Sequence, residues 1–137
     1  MSTPEVIENN ITYIKKQLEI AKKYQRYGLE DLKNDVFIKN SVERELYVVA
    51  QAVIDLSEAV VAYKNLRKPT TMRESFYILA EADILTKEFV DKIIGIVGFR
   101  NALAHDYRDL KLEIVVDVLQ NKLSEVEEFL GYIKKVI

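Results

Sequence analysis

The chain of 137 residues has no cysteine, one histidine, two prolines and four glycines. Without cysteine there can be no disulfide scaffold, thiolate zinc site or cysteine nucleophile, and the composition fits a reducing compartment. So few turn-formers exclude an all-β chain. One histidine among scattered carboxylates supplies neither a His-rich ligand set nor a cluster at ligand spacing, so neither a metal nor a cofactor is expected. Phosphate-loop and dinucleotide-binding glycine patterns are also missing. No run approaches the ~18 consecutive apolar residues of a membrane span. The opening Met1-Ser2-Thr3-Pro4-Glu5 has no basic segment leading into an apolar one. The expectation is a cytoplasmic protein with no membrane attachment. Charge of one sign is lacking too: 20 Lys and Arg against 22 Asp and Glu leave a net charge of -2. No global field holds a polyanion, so any nucleic-acid contact must be local.

What the chain does have is apolar material, 49% of its residues, enough for one continuous core in a single domain spanning 1–137. The apolar residues recur at spacings of three and four, the helical period. Leu112, Val116, Leu119, Leu123, Val126, Leu130, Ile133 and Ile137 alternate four and three without a break and predict a long C-terminal helix. Val42, Leu46, Val49, Val53, Leu56, Val60 and Tyr63 predict a second. Ile7, Ile11, Ile14, Leu18 and Ala21 predict the first, opened by Ser2 with Glu5 at capping-box spacing and ended by Gly28. Thr71 with Glu74 opens a short helix through about Ala82, and Thr86 caps another carrying Phe89, Ile93, Ile96, Arg100, Leu103 and Tyr107. Each apolar stripe needs a facing stripe, so the expected fold is all-α, an up-and-down bundle of four to five helices.

Polar groups gather at one point of this pattern, Phe99-Arg100-Asn101-Ala102-Leu103-Ala104-His105-Asp106-Tyr107. On a continuous helix Arg100 and Tyr107 are nearly eclipsed, and Asn101 and His105 stack on the neighbouring strip. A cationic fork and a titratable base on one surface are what phosphodiester chemistry needs. The structural alternatives are a salt bridge or a core-edge stem for Arg100 and a helix C-cap for His105. Gly95, Gly98 and Ala102 frame the same face and would admit a neighbouring helix. Arg44 and Asp55, eleven apart on one face of the second helix, are secondary candidates that an ion pair would also explain. The pairs Lys22-Lys23 and Lys134-Lys135 read as solvated surface.

Arg100, four residues, His105, one residue and Tyr107 resemble the R-x4-H-x-Y motif of the HepT-like toxins in the HEPN superfamily. The polar Asn101 fits it as well, and Val42-Glu43-Arg44-Glu45-Leu46 with Gln51 and Ile54-Asp55 resembles that family's second helix. The resemblance implies a HEPN-like helical domain and a homodimeric ribonuclease of a type VII-like toxin-antitoxin pair. It further implies, as antitoxin, a cognate minimal nucleotidyltransferase that silences the toxin by attaching AMP to the motif tyrosine, here Tyr107.

Within that expectation the chemistry is metal-independent cleavage of RNA by its own 2'-hydroxyl. His105 takes the proton, Arg100 meets the charge on the phosphorane, and Asn101 holds the imidazole or a phosphate oxygen. Tyr107 positions phosphate or stacks on a base, and Asp106 orients His105 or caps the helix. A second reading is a non-catalytic helical partner that presents a nucleotide or substrate to a nucleotidyltransferase. A third is a purely structural helical dimer.

Overall fold

A computed structural model describes residues 3–105 and 110–137. Among the described residues the chain is helical without strands: α1 (Pro4–Lys23), α2 (Leu29–Asn34), α3 (Val36–Tyr63), α4 (Met72–Glu81), α5 (Lys87–Ile93), α6 (Gly95–Ala104), α7 (Leu112–Asp117) and α8 (Leu123–Lys134). α5 and α6 follow one another across Ile94, whose dihedrals stay right-handed helical. α7 and α8 are joined by a π-helical turn, Val118–Lys122. These joins turn the eight segments into six rods, α2 being the short addition to the expected bundle.

The helix starts lie where small oxygen-bearing side chains can satisfy free N–H groups. Thr71 accepts from Glu74 N (3.1 Å), and the Glu74 carboxylate accepts from Thr70 N (2.9 Å). Thr86 accepts from Phe89 N (3.0 Å). The first helix is capped one residue later than expected, by Thr3 accepting from Val6 N (3.2 Å). Nor does Gly28 end that helix. α1 stops at Lys23 in a 3-10 turn, and Gly28 opens α2, its N–H donating to Asp31 (2.8 Å). α3 and α4 end instead at Asn65 (φ 54°) and Asp83 (φ 59°), residue types that tolerate the left-handed region. The following N–H groups of Leu66 and Ile84 close back onto Val61 and Leu79 carbonyls.

α3 is the axis of the bundle, with α1, α2, α4 and α6 packed on it. It is also the one helix among the described residues long and apolar enough to cross a membrane, and more than half of that stretch is buried inside the fold, as in the core helix of a bundle. Its stripe Val42, Leu46, Val49, Val53, Leu56 and Val60 is buried, as are Ile7, Ile11, Ile14, Leu18 and Ala21 of α1. Each such valine, leucine or isoleucine contributes roughly 1.5–3 kcal/mol of transfer free energy. The C-terminal stripe is buried from Leu119 to Ile133 but shifts at its start, where Val115 rather than Val116 is fully enclosed. The π turn lies at that point. Its Leu119 carbonyl accepts from the Gln25 side chain (2.9 Å), while Gln120 donates to the Gln25 and Tyr27 carbonyls (2.8 and 3.0 Å). Phe76 against Phe129 and Phe89 against Tyr132 tie α4 and α5 to α8.

Candidate active site

α6 crosses α3 where Arg100 meets the polar face of the central helix. Arg100 Nε donates to Gln51 Oε1 at 2.6 Å, and its Nη1 donates to Asn101 Oδ1 at 3.0 Å. The guanidinium carbon lies 5.6 Å from the centre of the Tyr47 ring, and so does that of Arg44. One aromatic ring therefore carries two cations, each attracted to the ring's electron-rich face. Arg100 is thus a half-buried fork oriented by an amide on each of two nitrogens, with no carboxylate partner among the described residues.

Gln51 is held from its other end. Its Nε2 donates to Asp55 Oδ1 at 2.8 Å, one helical turn on. An amide has one acceptor oxygen and one donor nitrogen, so the carboxylate takes the NH2 end and leaves the oxygen for Arg100. The expected ion pair between Arg44 and Asp55 is absent among the described residues. Eleven residues span ~16 Å of helix, too far for direct contact, and each has a nearer partner.

His105 is exposed and stands at the C-cap of α6, its N–H donating to the Asn101 carbonyl at 3.1 Å. Its φ of -105° and ψ of -81° take the chain out of the helix. α6 therefore ends at Ala104, inside the stretch expected to be one continuous helix, and the one-turn relation between Asn101 and His105 is kept. Asp106 and Tyr107 lie outside the described residues.

Beside this cap is a cavity of about 490 Å³ lined by Asn40, Glu43, Arg44, Tyr47, Leu103 and Ala104. The Glu43 carboxylate is buried there, 3.5 Å from Lys39 Nζ. On the same helix, burial pushes the Glu45 carboxyl up from its ordinary value, while the Arg44 charge opposes the shift. Tyr47 is the site residue that motif reading passes over, and Gln51 enters that reading only through the likeness of the second helix, with no role at the site. Their signal was available in the spacing Arg44, Tyr47, Gln51, which continues one polar face by three and four.

Among the described residues no helix packs closely on Gly95 or Gly98. A Cβ on Gly95 would meet nothing within 4 Å, and one on Gly98 only the end of Arg73, at 3.2 Å. Both line a mostly apolar groove of about 530 Å³ between α6 and the α7–α8 rod. Lys22 is paired with Glu127 (2.9 Å), the surface role expected of it.

Residues 14–133 match the family model described as "Ribonuclease HepT-like". The chain is 32% identical over 130 residues to the mRNA nuclease HepT of Shewanella oneidensis, covering 95% of this chain and 97% of that one. It is 31% identical over 107 residues to the tRNA nuclease HepT of Aphanizomenon flos-aquae, covering 78% of this chain and 73% of the relative. The structure of the tri-AMPylated Shewanella oneidensis HEPN toxin in complex with its MNT antitoxin superposes with a TM-score of 0.88 at 32% identity, over 97% of this chain and 99% of that one. Likeness of this extent, over a bundle whose central helix orients the motif arginine, shows that the chain belongs to the HepT-like ribonuclease family.

Proposed function

We propose that this chain is a metal-independent endoribonuclease toxin silenced by AMPylation of Tyr107. The observation that carries the reading is the Arg100 fork, fixed by Gln51 and Asn101 one helical turn from the exposed His105. Among the described residues those two bonds engage two of the five guanidinium donors, and the fork's other edge is the part that would meet a phosphate. His105 takes the proton of an RNA 2'-hydroxyl as that oxygen attacks the adjacent phosphorus. The bond from phosphorus to the 5'-oxygen breaks, and the leaving oxygen takes a proton in turn. The products are a 2',3'-cyclic phosphate and a 5'-hydroxyl. Arg100 stabilises the charge that develops between these steps. One imidazole per chain cannot serve as base and acid at once, so a two-fold homodimer with the motifs near its axis supplies the second. Relatives of this sequence named as nucleases, and a neighbour solved with an MNT antitoxin, support RNA as substrate and a nucleotidyltransferase as partner.

Arg100→Ala and His105→Ala should each abolish cleavage of an unstructured RNA while melting stays within a few degrees of the parent. Near-parental activity in either variant overturns the assignment. The switch is tested separately. A nucleotide on Tyr107 adds phosphate oxygens that occupy Arg100 in place of RNA. Tyr107→Phe should stay active in the presence of the cognate nucleotidyltransferase, ATP and magnesium. Inhibition of the wild type with no added nucleotide mass on its Tyr107 peptide would eliminate the covalent switch.

A further inference from the structure

The cavity beside the end of α6 takes a carboxylate out of water close to the proposed chemistry. Glu43 lines it and is only 9% exposed, and its hydrogen-bond partner among the described residues is Lys39 Nζ, at a long 3.5 Å. A carboxylate has about four acceptor positions, and burying it is costly unless they are filled. Lys39 already balances the charge, so the donors that complete the set belong to a neutral group rather than to a second cation. Asn40, one helical turn before Glu43, lines the same cavity with an exposed amide. Leu103 and Ala104 give the cavity an apolar wall, and its volume of about 490 Å³ lies within the range of small-molecule sites. The Tyr47 ring beside it is occupied by Arg44 and Arg100, so a ligand here is held by its edge rather than by stacking on that ring. A planar, neutral ring bordered by N–H donors has these properties. His105 follows Ala104 directly, and a ribose carries its base on the carbon next to the one bearing the 2'-hydroxyl. A nucleotide that presents this hydroxyl to His105 therefore has its base within reach of the cavity.

We infer that this cavity selects guanine at the nucleotide 5' to the cut, with Glu43 accepting from the guanine N1–H and 2-amino group and Asn40 donating to its O6. The inference rests on the ribonuclease reading. Unpaired bases in single strands are free to be read on their Watson–Crick edges. Guanine alone places two donors side by side on that edge, matching the two oxygens of one carboxylate, with an acceptor next to them for an amide N–H. Adenine and cytosine set one amino donor beside a ring nitrogen acceptor, and uracil sets its N3–H between two carbonyls. Each of these three turns an acceptor toward Glu43. The same carboxylate repels phosphate, so the base enters the cavity and the backbone stays with Arg100.

The test uses the full-length protein and short single-stranded RNAs in which every ribose but one is 2'-O-methylated, so that each can be cut at one place only. Four of them differ solely in the base on the free ribose, and single-turnover rates are compared. Wild type should cut the guanosine substrate roughly 5- to 150-fold faster than the other three, the range expected of one bidentate base contact. Inosine keeps N1–H and O6 but lacks the 2-amino group, and its rate should fall between those of guanosine and adenosine. Glu43→Gln sets an amide donor against the guanine donors, so it should lose the guanosine preference and keep wild-type rates on the other three. Asn40→Ala, at an exposed position, should lose part of the preference with the same rates retained. Equal wild-type rates on all four bases, or inosine cut as fast as guanosine, overturn the pocket and leave the ribonuclease reading standing. So does a Glu43→Gln protein that slows on all four alike, the mark of a merely structural carboxylate. A wild type that cuts none of the four removes the ribonuclease reading and the pocket with it.

Discussion

Gln51 joins the two halves of the site because an amide is both acceptor and donor. Replacing it with leucine keeps the helix and much of the volume but leaves Arg100 Nε without its acceptor and Asp55 without its donor. Hydrogen bonds to charged groups contribute roughly 1.5–3 kcal/mol, so Gln51→Leu should slow cleavage about ten- to a hundredfold through a misaimed guanidinium. Single-turnover kinetics on a short RNA check this. Activity within twofold of wild type would mean that Arg100 keeps its orientation from Asn101 alone. The motif residues themselves were legible in the sequence because arginine, asparagine and histidine are conspicuous on an apolar helix. Gln51 was less so, since its partner is 49 residues away and only the fold brings them together.

At the scale of elements, periodicity located the helices well and their ends less well. A stripe at spacings of three and four reports which side of a helix is buried, and the buried residues of α1 and α3 follow it. Ends depend on which of several neighbouring oxygens wins the first free N–H. Thr3 therefore replaces Ser2 as the first cap, and Gly28 starts a helix instead of stopping one. The break after Ala104 gives no periodic signal, because Leu103 and Tyr107 fit the stripe whether or not the helix continues. The groove along Gly95, Gly98 and Ala102 belongs to this scale too, since no helix among the described residues fills it. The proposed dimer has its axis near that strip. Among the described residues Gly98→Ala adds a methyl that meets only the movable end of Arg73, so the fold should be retained or gain roughly 0.5–1 kcal/mol from the better helix former. Sedimentation should nevertheless show a weaker dimer than wild type. An unchanged dimer would place the axis elsewhere.

For the whole molecule, a chain of balanced charge carries a local cationic site, and its all-helical class follows from composition and period alone. What the chain does was legible through nine consecutive residues and their match to a family, because the same bundle without Arg100 and His105 would serve many unrelated roles. The central claim is the identity of the nucleophile. A single RNA with one cleavage site, incubated with wild-type protein in excess EDTA and analysed by mass spectrometry, reads it directly. The account predicts undiminished cutting, a 2',3'-cyclic phosphate on the upstream fragment, and no cut when the nucleotide 5' to the scissile bond carries 2'-deoxyribose. Activity lost in EDTA and restored by a divalent ion, or fragments ending in 3'-hydroxyl and 5'-phosphate, would contradict it.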